Sequence, residues 1–279
     1  MLNSSGTAQP AWDPRFGERS PLLAPFAAAA APLAIPDWPT PDALSALAAA
    51  GGGIASGSGA RVRFVAPQPA AGTAMQRYEG RIHAAGEVPT RERNWHDLFN
   101  ALAWLAWPRT KAALNAAHVA AAAAEDDGIR GRRRDALTVF DESGVAVATS
   151  APDLAALLTG FRWQELFWRA RARVAREMCF FVIGHALAEK ALAPFVGMTG
   201  HAILLDVTPE FFAASGAAQR AAVDGLLAGR IAGGMPATPR ELAPLPVLGV
   251  PGWWAENEEA SFYDNTQYFR PGRRAQPSR

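Results

Sequence analysis

Apolar residues recur at helical spacing in the middle of the chain. After Asn94, residues such as Leu98 and Leu102 fall on one face of a helix, because positions four apart are neighbours there. Asn94 can cap this helix, and Asp97 lies in its first turn, where the helix dipole favours an anion. Pro108 would end or bend the helix. The pattern therefore predicts a helix between Asn94 and Pro108.

The rest of the chain mixes helix-like and strand-like patterns. A second helix is predicted from about residue 109 into the alanine run, and further helices are predicted at 41–50, 163–177, 180–192 and 217–227, with Gly184 as a kink or close-packing point. Strands are predicted at 61–65, 77–83, 202–207 and in a hairpin whose strands are 135–141 and 145–149, with a turn at Glu142.

These elements show no regular βαβ order, which indicates an α+β fold with several packed helices and a small, mainly antiparallel sheet. The C-terminal segment is irregular and aromatic, with Trp253, Trp254 and Phe269 among its rings. Leaving such rings in water would cost about 1.5 to 3 kcal/mol apiece, so this tail is expected to wrap over the core.

The first 60 residues mix Pro, Ala, Gly and Ser, a composition typical of linkers and long loops. We therefore expect a loosely structured N-terminal extension (1–60), a main α+β domain (61–271) and a disordered tail (272–279).

Composition narrows the function classes. Lys and Arg total 27 against 26 for Asp and Glu, so no global field would gather nucleic acid, and no nucleic-acid partner is expected. The single Cys179 excludes an intramolecular disulfide and a thiolate cluster for zinc, and it suits a reducing compartment. The apolar stretch 26–35 is too short to span a bilayer and lacks a basic start, so we expect a cytoplasmic protein without a membrane anchor.

Most of the histidines and carboxylates that a core does not need fall in four polar clusters. These are His96 with Asp97 and Asn100, Asn115 with His118, Asp135 with Asp141 and Glu142, and His185 with Glu189. His185 and Glu189 lie one helical turn apart, so both could reach one ion or one proton-bearing atom. The spacing predicts one shared site.

A resemblance to a known family is carried by four ordered segments, NWHDLFNALAWLAWPRTKAALNAAH, RRRDALTVFDESG, GHALAEKALAPFVGMTGHA and PLPVLGVPGWWAENEEASFYDNTQYFRP. Over roughly residues 38–271 the chain resembles the bacterial family known as domain of unknown function 3025. The resemblance implies a bacterial source, but it supplies no activity, cofactor or catalytic residue that could be transferred to this chain.

The first functional hypothesis is a metal-assisted, hydrolase-like enzyme acting on a small molecule. A bound divalent ion would lower the pKa of water and so make a nucleophile near neutral pH, and imidazole and carboxylate ligands suit zinc, manganese or iron. In this hypothesis the metal ligands are His96, His118, His185 and Glu189, the catalytic or orienting carboxylates are Asp135, Asp141 and Glu142, and the substrate-binding residues are Lys111 and Asn115.

Each of these residues also has a structural explanation. His96 can belong simply to a capped first turn, the pair Asp141-Glu142 suits a polar hairpin turn, and His185 suits a core histidine paired with Glu189. No His-Glu-x-x-His motif, Gly-x-Ser-x-Gly elbow, Walker loop or dinucleotide fingerprint occurs in the sequence.

Two other function classes stay open. A metal-free module that binds an anion or another small molecule is indicated by the basic run at 130–134 and by Arg169, Arg173 and Arg176, which share a helical face, although Glu177 four residues after Arg173 favours a paired, solvated face. A structural or interaction protein is indicated by Trp253 and the neighbouring prolines, which could dock on a partner.

Overall fold

Helices surround a small sheet in this computed structural model. The structure describes residues 11–33, 36–50, 52–68, 72, 76–124 and 131–272, without the side chains of residues 76 and 77. The α-helices in these ranges are α1 (Ala24–Ala30), α2 (Pro41–Ala50), α3 (Arg81–Ala85), α4 (Trp95–Ala106), α5 (Pro108–Ala123), α6 (Arg132–Ser143), α7 (Pro152–Thr159), α8 (Arg171–Glu177), α9 (His185–Lys190) and α10 (Gly216–Ala232). Among the helices of these ranges, none has both the length and the apolar character needed to cross a membrane.

The strands form two sheets. They are β1 (Arg63–Val65), β2 (Glu87–Pro89), β3 (Gly144–Thr149), β4 (Met178–Val182), β5 (Thr199–Asp206) and β6 (Ala243–Pro246). β1 and β2 pair in parallel, and the larger sheet has the order β4-β3-β5-β6. In that sheet β3 is antiparallel to β4 and parallel to β5, and β6 is antiparallel to β5. The prediction of an α+β fold with a small, mainly antiparallel sheet is confirmed.

The central strand β3 is buried along its whole length. Successive side chains of a strand point to opposite faces. Val145 and Val147 therefore join one core cluster, which includes α4, whereas Ala146 and Ala148 join a second cluster with α5 and α10. The sheet thus lies between two apolar layers, and β3 starts directly where α6 ends.

The predicted N-terminal cap of α4 is confirmed. The side-chain oxygen of Asn94 accepts a hydrogen bond from the backbone N–H of Asp97 at 3.0 Å. Trp95 and Phe99 on the inner face are fully buried. Pro108 is the first residue of α5, where its missing N–H leaves no hydrogen bond unmade. The proline therefore separates two helices and does not bend a single one.

Residues before β1 also contribute to the core. The helix predicted at 41–50 is confirmed as α2, and Phe16, Leu22 and Phe26 are at most 1% exposed in the cluster that contains α4. The domain boundary near residue 60 stays a prediction. Apart from Gly272, the predicted disordered tail lies outside the described residues.

The irregular aromatic tail packs over the core. Tyr263, Tyr268 and Phe269 are buried, and the hydroxyl of Tyr268 donates to the carbonyl of Met198 at 2.7 Å. Trp253 and Trp254 are half-buried and pack against the same core cluster. These rings close the protein's own interior.

The predicted hairpin is wrong in its first strand. Residues 135–141 belong to α6, and β3 pairs with β4 and β5 instead. Ala136, Leu137 and Phe140 are fully buried on one side of α6, so the helical spacing decides the structure although the β-branched and aromatic residues of the segment also suit a strand. The second strand of the predicted hairpin is confirmed as part of β3.

Two other segments differ from their predicted type. Residues 77–83, predicted as a strand, form the end of a π-helical turn (Gln76–Gly80) and the start of α3. Residues 180–192, predicted as a helix, contain the end of β4 and then α9. The continuous apolar run Met178–Val182 fits a strand or a buried helix equally, and pairing with β3 decides it.

Gly184 lies where α9 passes the end of α6. A Cβ atom at this position would lie 2.4 Å from the backbone nitrogen of Ser143 and 2.5 Å from the carbonyl oxygen of Glu142. Because these are backbone atoms, we expect Gly184→Ala to lower the free energy of unfolding by about 1–3 kcal/mol, the usual range for overpacking. Guanidinium unfolding followed by circular dichroism measures the change.

Gly229 in the interior of α10 provides the matched control. A Cβ at this position would meet nothing within 4 Å. Alanine is the better helix former, so Gly229→Ala should raise the free energy of unfolding by roughly 0.5–1 kcal/mol. Equal stability of Gly184→Ala and the wild type would contradict the close packing of α6 and α9.

Candidate metal centre

A pocket of about 470 Å³ lies among α4, α5, α6 and α9. α4 and α6 both pack against α9, so side chains distant in sequence meet there. Its lining residues are Pro67, Tyr78, Glu79, Pro89, Arg91, His96, Asp97, Asn100, His118, Thr138, Asp141, Glu142 and His185. His96, His118 and His185, which the sequence predicted to share one site, all line this pocket.

Three of these residues form a group with metal-ligand chemistry. His96, Glu142 and His185 each offer one ligand atom, and the three atoms lie within 4.8 Å of one another. His96 is in the first turn of α4, Glu142 is near the end of α6, and His185 is the first residue of α9. The close approach at Gly184 brings the last two elements together. We call these three residues the metal triad.

Carboxylates flank both histidines of the metal triad. The Nδ1 atom of His96 donates to Oε2 of Glu189 at 3.0 Å, which leaves Nε2 of His96 available. On His185, Nε2 lies 3.8 Å from Oε1 of Glu142 and Nδ1 lies 3.9 Å from Oδ2 of Asp141. The two imidazole rings meet edge to face with centroids 4.6 Å apart. Both rings thus have a carboxylate near Nδ1, Glu189 for His96 and Asp141 for His185.

The two histidines differ in protonation. The hydrogen bond that His96 donates to Glu189 raises the pKa of His96, although burial works against it. Burial lowers the pKa of His185 to about 4, because its side chain is 6% exposed. His185 is therefore neutral near pH 7, which is the form that binds metals.

A buried ion pair supports the floor of the pocket. Nζ of Lys111 donates to Oδ1 of Asp141 at 2.5 Å and to Oδ1 of Asn100 at 3.0 Å. Nδ2 of Asn100 in turn donates to the hydroxyl of Tyr78 at 2.6 Å. Burial favours a higher pKa for Asp141, but the charge and hydrogen bond of Lys111 together with the nearby His185 and His118 outweigh it, and the pKa is lowered. The pair links α5 to α6 beside His185.

Glu79 is a pocket residue that the sequence patterns did not indicate. Nδ2 of Asn115 donates to the Glu79 carboxylate at 2.8 Å and to the Glu79 carbonyl at 2.9 Å. The residue keeps a partly exposed surface, but its carboxyl lies among protein atoms, and this burial raises its pKa to about 7. Its neighbours in the sequence form no recognised motif, and the strand predicted at 77–83 gave no reason to place Glu79 in a pocket.

The predicted site residues divide into three groups. His96 and His185 lie in the metal triad, whereas Glu189 lies behind His96 and Glu142 takes the ligand position. His118 and Asp141 line the pocket, and Lys111 and Asn115 lie next to it around a small cavity. Asp135 is exposed at the start of α6 and is absent from the lining among the described residues. Its predicted place at the mouth of a hairpin is wrong, because that hairpin does not form.

The basic helical face is paired, as the acidic residues around it indicated. Arg173 contacts Asp153 at 2.5 Å and Glu177 at 2.8 Å. Arg162 contacts Glu165 at 2.6 Å. These pairs give little support to an anion site on α8.

A family model described as "Protein of unknown function (DUF3025)" matches residues 62–273. No curated protein and no solved structure matches the chain.

Proposed function

The chain belongs to the DUF3025 family, whose description assigns no activity, and we propose from the pocket itself that the protein is a metal-dependent hydrolase acting on a small molecule. The proposal has His96, Glu142 and His185 holding one divalent ion. A bacterial source and a cytoplasmic location stay predictions from the sequence.

The observation that carries this proposal is the metal triad in the pocket wall. Catalytic zinc sites commonly use three protein ligands, with two His and one Glu among the known sets, and leave one position for water. Ligands at about 2.0–2.2 Å from zinc lie roughly 3.4 Å apart, so atoms now within 4.8 Å of one another would draw together by up to about 1.4 Å on binding. Glu189 behind His96 is the outer carboxylate that histidine ligands usually have.

The pocket also suits a hydrolytic reaction. Its volume of about 470 Å³ falls in the range of small-molecule sites. A divalent ion lowers the pKa of a bound water toward 7 and so supplies hydroxide at neutral pH. The metal triad would position this water in the pocket, where a substrate can reach it.

The other two function classes have less support. Arg91 in the pocket lining and Lys111 beside the pocket are in ion pairs with Asp97 and Asp141, which disfavours an anion-binding module. Trp253 and Trp254 pack on the core of this chain, which disfavours a docking role for them.

Metal binding by untagged protein tests the proposal. After removal of metals with a chelator, titration calorimetry with zinc and with manganese should give one site per chain, checked by elemental analysis. Glu142→Gln and His185→Asn should each weaken metal binding at least tenfold. Loss of a residue that hydrogen-bonds to a metal ligand typically lowers metal affinity about 10–100-fold, and loss of the ligand itself should cost at least as much.

His83→Gln is the control, since His83 lies on α3 and is not among the described residues that line the pocket. Its affinity for metal should equal that of the wild type. Absence of a site in the wild type, or equal affinity in all four proteins, would overturn the metal-dependent hydrolase.

A further inference from the structure

Glu79 is a buried carboxyl in the pocket wall that the metal triad does not use. It lines both the main pocket and a second cavity of about 10 Å³, which has room for about one water. On the inner side Asn115, itself 1% exposed, holds the carboxylate. The side of Glu79 that a ligand can reach is therefore the main pocket.

The groups around Glu79 come from its own helical turn and from α3, α5 and α6. Lys111 and His118 face it from α5, and Asp141 and Arg134 face it from α6. Tyr78 lies in the same helical turn. From α3, Arg81 is engaged by Glu87 at 2.5 Å. Burial dominates over these charges, so at neutral pH a substantial share of Glu79 carries a proton.

The charges of the pocket indicate the ligand class. Asp97, Asp141 and Glu142 line it, and the first two of these are already paired, with Arg91 in the lining and with Lys111 beside it. A phosphate dianion would meet Glu142 and Glu79, and of Arg91, Lys111 and the proposed divalent ion only the ion would be free to balance its charge. A neutral ester or amide meets no such repulsion.

We propose that Glu79 is the general acid of the pocket, donating a proton to the leaving group of a neutral ester or amide whose carbonyl lies at the metal triad. This inference rests on the proposed hydrolase function. A positioned acid of this kind typically accelerates a reaction by about 10²–10⁴-fold.

The step balances with water as the only co-reactant. The oxygen of water bonds to the carbonyl carbon, and the bond from that carbon to the leaving oxygen or nitrogen breaks. The leaving atom keeps the electron pair and takes the proton of Glu79. One proton of the attacking water returns to Glu79, so an ester gives a carboxylic acid and an alcohol, and an amide gives an acid and an amine.

The dependence of rate on the leaving group tests this role. The hydrolysis rates of zinc-loaded wild type and Glu79→Gln are compared on p-nitrophenyl, phenyl and ethyl acetate. In this order the leaving group becomes more basic and depends more on receiving a proton. Glu79→Gln should lose about 100-fold on ethyl acetate and less than about tenfold on p-nitrophenyl acetate. Glu259→Gln, at an exposed position of the tail, is the control and should match the wild type on all three.

The outcomes separate this inference from the hydrolase proposal. An equal loss on all three esters, or no loss, would overturn Glu79 as the general acid and leave the hydrolase standing. Zinc-independent rates in the wild type would overturn both.

A second measurement examines the proton on Glu79 without substrate or metal. The folded pKa of about 7 exceeds the ordinary value of 4.5, so below about pH 4.5 the carboxyl is protonated in both the folded and the unfolded chain. Between these values only the folded chain keeps the proton, so stability falls as pH rises and levels off above about 7. In metal-free protein, the guanidinium midpoint of the wild type relative to Glu79→Gln should show this decline. A flat difference across pH 4.5–7 would mean that Glu79 ionises normally and would sink the inference.

Discussion

Lys111→Met should lower the free energy of unfolding by about 3–5 kcal/mol at pH 7, which is the usual cost of removing one partner of a buried ion pair. The Lys111 side chain is 5% exposed and its ammonium contacts Asp141 at 2.5 Å. Methionine keeps most of the apolar stem, so the change removes the charge rather than the packing. The Asp141 carboxylate would then be buried without a cation, and guanidinium unfolding measures the loss.

The sign of the pH dependence identifies the cause. Lys111 lowers the pKa of Asp141, so its stabilisation is present above the ordinary pKa of about 3.8 and is lost as pH falls through the lowered folded value. The deficit of Lys111→Met should therefore be largest near neutral pH and shrink in acid. The other lysine of the chain, Lys190, is exposed, and Lys190→Met should stay within about 0.5 kcal/mol of the wild type. A deficit that persists unchanged in acid would point to packing instead of charge.

Asn257→Ala should destabilise the protein by roughly 2–5 kcal/mol, because it leaves two buried carbonyls without their donor and each such group costs about 1–3 kcal/mol. The Nδ2 atom of Asn257 donates to the carbonyls of Leu248 and Val250, both at 2.8 Å, and the residue is fully buried. Oδ1 of Asn257 also accepts from Arg171 of α8 at 3.2 Å. This one amide therefore attaches the aromatic tail to the core.

Asn265→Ala is the matched control for the tail. Asn265 is exposed, and its side chain accepts one hydrogen bond, from the backbone N–H of Tyr268 at 3.2 Å. We expect a loss below about 1 kcal/mol from this change, the usual worth of a single hydrogen bond. If thermal unfolding shows equal losses for both asparagine variants, Asn257 does not have the anchoring role that its contacts indicate.

Local signals account for the elements that the sequence predicted correctly. The cap at Asn94, the proline that opens α5 and the helical spacing of α4 act between residues within one or two turns. The same holds for α2 and for α10, which begins at Gly216 after the cap residue Ser215. Such interactions operate wherever the segment lies in the fold, so they can be predicted without it.

The misassigned segments had patterns that fit two structures. Residues 135–141 include β-branched and aromatic residues that suit a strand, but they also place Leu137 and Phe140 on one helical face. The run Met178–Val182 is apolar throughout and carries no periodicity. In both cases strand pairing determined the structure. β3 pairs with β4, which contains Met178–Val182, and with β5, and this leaves no place beside β3 for a strand at 135–141.

By itself, the sequence determined the fold class, the capped helix that carries His96 and most of the polar residues from which the candidate site is built. Only the tertiary structure decided which of them meet. Glu189 is one turn from His185, but it hydrogen-bonds to His96, which is 93 residues away in the chain. Glu142 occupies the ligand position that was predicted for Glu189. Glu79 lines the pocket although no sequence motif indicated it. Contacts of this kind depend on how α4, α6 and α9 pack, and that packing follows from the summed burial of many side chains rather than from the spacing of a few.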